Sequence, residues 1–344
     1  MDKSLDKDQT VEVQPNPSSQ IALEPTRPLE SPETPKAPAR FSGLRRLFRN
    51  PKLVLGVSIM LVFIATAVFA PLIAPGDPSS FVSTPHQPPS AEYPFGTEGQ
   101  GKDVFAQTVW GTRISLTTGL SVGILTTLIG VIVGMTSGYF GGRIDDVLSL
   151  LTNVVLIIPG LPLLVALAAF LPPGNVTVAL VLIVTGWAWG ARVLRAMTLS
   201  LREKDFVAAA LVSGESHARI IFRDILPNMT SIIVGGMIGA TIYAIGADAT
   251  LSFLGFTNVS QVSWGTNLYW AQNNAGLLVG AWWTFVPSGL CIALVAFALS
   301  LINYAMDEVT NPRLRAEKEI ANVTVKAKRG SLVTPVVRQN QPQR

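Results

Sequence analysis

The residues that most resemble a chemical site lie in "FGTEGQGKDVF", Phe95 to Phe105. Gly96, four intervening residues, Gly101 and Lys102 have the spacing of a phosphate-binding loop, with Asp103 where Ser or Thr would ligate magnesium. Such a loop needs a strand before it and a helix after it to aim its N–H groups. The approach here is "PHQPPSAEYP", a turn-rich segment, so the nucleotide reading is set aside. "GLSVG", Gly119 to Gly123, matches a nucleophile elbow around Ser121, which would require a His base and an orienting acid. The two histidines, His86 and His217, fall in separate polar segments, and the one cysteine, Cys291, lies in an apolar run. No His, Cys or carboxylate group has metal-ligand spacing. The sequence therefore assigns no catalytic, cofactor-binding or metal residue, and non-enzymatic function is the expectation.

The elements that would hold these residues are membrane helices. Hydrophobic residues make up 49% of the 344 and charged residues 14%, and uncharged runs of at least 18 residues read as spans. Six are expected: Leu53–Ala74, Ile114–Phe140, Val147–Leu171, Gly174–Ala191, and two near 226–253 and 281–306. Helices satisfy their own backbone groups in lipid, giving an all-α membrane fold. Glycines four apart (Gly119/Gly123, Gly130/Gly134/Gly138, Gly186/Gly190, Gly235/Gly239) predict close helix contacts. Pro159, Pro162 and Pro287 predict kinks. Trp264, Trp270, Trp282 and Trp283 are expected at a membrane interface.

Charge sets the expected topology. Arg40, Arg45, Arg46, Arg49 and Lys52 precede the first span, whereas Pro75–Asp103 carries Lys102 against Asp77, Glu92, Glu98 and Asp103. The positive-inside rule puts the N-terminus in the cytosol and that loop outside, and six spans return the C-terminus to the cytosol. The chain then divides into a Pro-rich tail expected to be disordered (1–40), a first helix with its outer loop (41–112), a five-helix core (113–310) and a basic tail (311–344). The basic residues belong to membrane topology, and no nucleic-acid partner is expected. From Ile225 to Met306 the only charged residue is Asp248, a weak candidate for a pathway or gate residue, or else a structural cap for the "LSFLGF" turn.

The longest polar segment between cytosolic span ends is about 199–227, which contains "LREKDFVAAALVSGESHARIIFRDILPN". Arg202–Val212 reads as a short helix stopped by Gly214, and His217–Ile225 as a second one ending at Leu226–Pro227. The alanine triplet, the glycine four positions after Ala210, and the Leu-Pro beyond it resemble the coupling loop of ABC importer permeases. "YPFGTEGQGKDVFAQTVWGTRISL", "SGYFGGRIDD", "LSFLGF" and "SWGTNL" follow the same order as in the dipeptide, oligopeptide and nickel permeases, specifically their second permease subunit. The resemblance covers about 41–313.

That resemblance implies the type I ABC importer permease fold and import of di- or oligopeptides, with nickel or another small solute as the alternative. An ion-coupled secondary transporter is the reading from another class, and it would call for more intramembrane charges. The implied partners are a second homologous permease, two ATP-binding subunits that carry the ATP and magnesium, and an extracytoplasmic binding protein. Phe206, Ala208, Ala209, Ala210, Gly214, Ile225 and Pro227 become the expected ATPase-docking residues. Ala208 stands where the family has Glu, a contact that Glu203 or Glu215 could supply instead.

Overall fold

A computed structural model describes residues 50–310, which fall within one compact unit. The two tails, 1–40 and 311–344, lie outside the described residues.

The regular elements of the described chain are all helices or helical turns, apart from one isolated β-bridge between Thr97 and Asp103. Helix α1, Pro51–Val68, starts on the Asn50 side chain, which accepts from the Lys52 N–H, and a four-residue turn, α2 (Ala70–Ile73), follows it. After the polar loop comes α3, Val104–Phe140, which is 37 residues long. Then come α4 (Gly142–Ile157), α5 (Gly160–Phe170) and α6 (Asn175–Arg202). Two short helices, α7 (Asp205–Val212) and α8 (His217–Arg219), run through a π-helical turn, Ile220–Ile225, into α9, Leu226–Phe253. Helix α10 is Trp264–Asn273, and a 3-10 turn, Trp282–Thr284, leads into α11, Val286–Thr310.

Five helical stretches among the described residues are long and apolar enough to cross a membrane: α1, α3, α6, His217–Phe253 and Val286–Glu308. The third expected span, 147–171, is divided. Ile158 is extended ahead of Pro159, as residues before proline tend to be, and α5 begins at Gly160. The halves have 16 and 11 residues, each short of the roughly 20 that span a bilayer core. Pro162 falls in the first turn of α5 and Pro287 in the first turn of α11, where a missing N–H costs little, so neither kinks a helix.

Packing centres on α3. Helix α6 lies against it with almost nothing between the backbones. A Cβ at Gly134 would come 2.5 Å from the Ala191 carbonyl oxygen, and one at Gly138 would come 2.7 Å from that of Arg195. On another face, Gly119 meets Ile245 and Gly123 meets Thr241 of α9. The "GLSVG" stretch is thus a helix contact, as its spacing suggested. Gly190 and Gly239 differ: nothing lies near them, because both line a cavity of about 720 Å³ with Trp189 and Tyr243. Aliphatic clusters fill the remaining joints: Met60, Phe63, Leu116, Ile245 and Leu299 in one, Val122, Leu164, Val181 and Leu251 in another.

The two loop ends of the bundle

The Gly96–Asp103 stretch is a turn rather than a phosphate cradle. Gly101 N–H donates to Glu98 O at 2.8 Å, and Glu98 N–H to Lys102 O at 3.0 Å, so these amides are closed on the loop itself. Lys102 Nζ lies over the rings of Phe81 and Trp270, 5.3 and 5.7 Å from their centroids. Asp103 caps α3, accepting from the Phe105 N–H at 2.8 Å, and burial pushes its carboxyl above the usual range.

That turn belongs to a dense polar assembly around α10. Trp264 is fully buried; its N–H donates to Ser115 Oγ at 3.1 Å and its Nε1–H to the Thr108 carbonyl at 3.2 Å. Asn267 Nδ2 donates to Gln107 O and Ser288 Oγ. Asn274 joins the loop through Glu98, at 2.7 Å, and through His86 Nε2, at 2.9 Å. Trp283 Nε1–H donates to Thr97 O at 3.1 Å. Trp264 is therefore a core residue and not part of an interfacial belt, whereas Trp282 is exposed. The Trp264 indole sits between α1 and α3, edge-on to Phe63 at 5.8 Å, where a large ring fills the gap between two helices.

At the α7 end the chemistry is apolar. Val207, Ile220, Ile225 and Met229 are fully buried with Met135 and Tyr139 of α3 and Leu194 of α6. Tyr139 Oη is 2.8 Å from His217 Nδ1, which pins α8 to the end of α3. Outside this anchor Phe206, Leu211, Val212 and Phe222 are exposed, Val212 to 90%. Gly214 closes α7 at φ +76°, a left-handed geometry that glycine adopts without strain, with the Glu215 N–H returning to Ala210 O.

Of the expected docking residues, Phe206, Ala208, Ala209, Gly214 and Pro227 are exposed and Ala210 is half-buried. Ile225 is buried and holds the loop to the bundle. Glu215 is paired with Arg219 at 2.6 Å, and Glu203 terminates α6. Nothing in the loop's motif marks Val207 as the residue that anchors α7. Val207 and Ile220 are no more apolar than the exposed residues around them, so only packing separates the two sets.

Asp248 lies buried in α9 and makes no hydrogen bond or ion pair among the described residues. It does not line the large cavity. The "LSFLGF" turn closes through its own backbone, Phe256 N–H to Leu251 O and Gly255 N–H to Ser252 O, both at 2.9 Å. No contact of Asp248 favours either role expected for it.

A helical bundle with five stretches long and apolar enough to cross a membrane, among the described residues, is the architecture of an integral membrane protein. The family described as the binding-protein-dependent transport system inner membrane component matches residues 130–316, and the N-terminal TM domain of oligopeptide transport permease C matches 42–89. A Brucella suis protein named as a peptide transport system permease is 34% identical over 288 residues, 83% of this chain and 96% of that one. The Bacillus subtilis dipeptide transport system permease DppC is 32% identical over 319 residues, 89% of this chain and 98% of the relative. The oligopeptide permease OppC of Bacillus subtilis is 32% identical over 271 residues, covering 78% and 88%. A solved methionine ABC transporter in an inward-facing conformation overlays with a TM-score of 0.46 at 20% identity, covering 60% of this chain and 95% of that one. The chain belongs to the family of binding-protein-dependent inner membrane transport components. It is an integral inner-membrane permease that works with other transporter components and a substrate-binding protein.

Proposed function

We propose that this chain is one of two permease subunits in an ATP-driven importer of di- or oligopeptides, with both termini in the cytosol. The observation that supports this reading best is the loop from Asp205 to Ile225. Buried Val207, Ile220 and Ile225 fix it to α3 and α6 while Phe206, Leu211, Val212 and Phe222 face outward. Apolar side chains presented on a short clamped helix fit a helix-in-groove contact with another protein. The partner at that face would be an ATP-binding subunit, two of which carry the ATP and magnesium for the assembly. Ala208 and Ala209 keep the exposed face of α7 thin, and Gly214 turns the chain away without a side chain in the groove. A homologous permease completes the pathway, and an extracytoplasmic binding protein delivers the peptide. The peptide substrate rests on the named relatives, all of which are peptide permeases.

The test is co-purification of the tagged chain in mild detergent, followed by reconstitution into vesicles. Two ATPases and a homologous permease should come with it, and peptide uptake should require ATP. Gly214→Asp should abolish retention of the ATPases and uptake while leaving the membrane level of the chain unchanged. A chain that purifies alone and transports on an ion gradient without ATP would overturn the proposal.

A further inference from the structure

A second cavity, of about 210 Å³, opens between α3, α4 and α6. It is polar, lined by Ser137, Ser149, Thr152, Asn153, Arg192 and Arg195. Its acid is already neutralised: the Asp145 carboxylate accepts from Arg195 Nε at 2.5 Å and Nη2 at 2.6 Å, from Ser149 at 2.9 Å, and from Ser137. The Thr152 hydroxyl donates to Leu148 O. The hydroxyl protons are therefore all engaged. The groups still free to donate into the cavity are the Arg192 guanidinium, the remaining N–H groups of Arg195 and the Asn153 amide. Arg192 has no hydrogen bond or ion pair among the described residues, so its charge is uncompensated there.

The level of this cavity along α6 is also informative. Asn175 to Ala191 carries no charge, and Arg192 comes about 26 Å along the helix axis from Asn175. That is close to the roughly 30 Å thickness of a bilayer's hydrocarbon core, which puts Arg192 at headgroup depth. Beside the cavity α4 exposes an apolar stripe, Val147, Leu150, Leu151 and Val154. Fork-shaped guanidinium donors match phosphate oxygens, and basic pockets between membrane helices take lipid headgroups.

We infer that this cavity is a binding site for a phosphate ester, either the headgroup of an anionic phospholipid or a soluble phosphate, held by Arg192 with Arg195 and Asn153. The site is separate from the α7 docking face and does not depend on the transported substrate.

The full chain, purified and washed free of lipid, is reconstituted in phosphatidylcholine vesicles with and without phosphatidylglycerol, and bound phosphatidylglycerol is counted after re-extraction. Wild type should retain phosphatidylglycerol, R192Q should retain about fivefold less (the worth of one arginine at an anionic surface), and R192K, which keeps the charge but loses the fork, should fall between them. Inorganic phosphate then identifies the source. Failure to displace the lipid assigns the headgroup as ligand, and displacement by phosphate that is lost in R192Q assigns a soluble phosphate. In pure phosphatidylcholine R192Q should melt with wild type. Equal retention by wild type and R192Q, or a lowered melting point of R192Q in phosphatidylcholine alone, would overturn the site.

Discussion

The two loop-bearing ends of the bundle are built on opposite principles. Around α10 the elements are joined by polar contacts within the chain: two tryptophan N–H groups meet carbonyls of the α3 segment and its approach, and Asn267 bridges α3 to α11. Around α7 the chain holds on through a few buried aliphatic residues and one tyrosine–histidine contact, and it leaves apolar side chains in the open. An end closed on itself is stable alone. One that exposes large hydrophobes beside a rigid anchor offers the kind of surface used in protein–protein contacts, in keeping with the docking role proposed for it. The difference teaches that stability and assembly are handled by separate residues, and substitutions can pull the two apart.

The largest effect should come from the closed end. Trp264→Ala removes a fully buried indole and its hydrogen bond to the Thr108 carbonyl, and should cost about 3–5 kcal/mol, read as a lowered melting point in detergent. A loss below 1 kcal/mol would mean that the α10 assembly is not the rigid end. Next comes the Asp145–Arg195 lock joining α4 to α6. Asp145→Asn should cost about 1.5–3 kcal/mol, the range for hydrogen bonds to a charged group. Arg195 holds the Asp145 carboxyl well below the usual carboxylate range. The lock's contribution is therefore complete above the unfolded-state pKa of about 3.9 and is lost only as pH falls through the lower folded value. Wild type and Asp145→Asn should keep a constant melting difference from pH 7 to about pH 5, with the two curves converging only in stronger acid.

At the open end the effects on stability shrink. Gly214→Ala forces an L-residue into a left-handed conformation at about 1 kcal/mol and should also weaken ATPase retention, since the turn geometry presents α7. Val212→Ser, on a side chain that is 90% exposed, should change stability by no more than about 0.5 kcal/mol. Uptake by the same protein should nonetheless fall by roughly tenfold, the worth of 1.4 kcal/mol lost from an interface. Equal uptake by Val212→Ser and wild type would break the comparison.

How far this was legible in the sequence follows the physics of each part. Five of the six expected spans were readable because uncharged runs are long compared with any turn, and the helix-contact role of Gly119, Gly123, Gly130, Gly134 and Gly138 followed from their spacing. Gly190 and Gly239 have the same spacing and line a cavity, because spacing reports a shared face and not what faces it. Pro159 broke its helix whereas Pro287 began one: the same residue type gives opposite results at positions a few residues apart along a helix. The α7 loop was located by its motif, but the division between buried Val207 and exposed Val212 depends on Met135, Tyr139 and Leu194, which are distant in sequence. The arginine-lined cavity was invisible for the same reason, since Ser137, Asn153 and Arg192 meet only when three helices pack.

The glycine seam between α3 and α6 has a mechanical meaning. Gly134 and Gly138 let the α3 backbone rest on the carbonyls of Ala191 and Arg195, so no layer of flexible side chains separates the two helices. They behave as one rod. At one end of that rod α6 passes through Glu203 and Lys204 into α7, and about 48 Å along α3 from its Phe140 end the Thr108 carbonyl holds Trp264. Side chains can absorb a displacement by changing rotamer, but backbone in contact with backbone cannot. On the proposed reading, a tilt imposed at α7 would pass along this seam toward the cap around Trp264 with little of it lost to side-chain rearrangement.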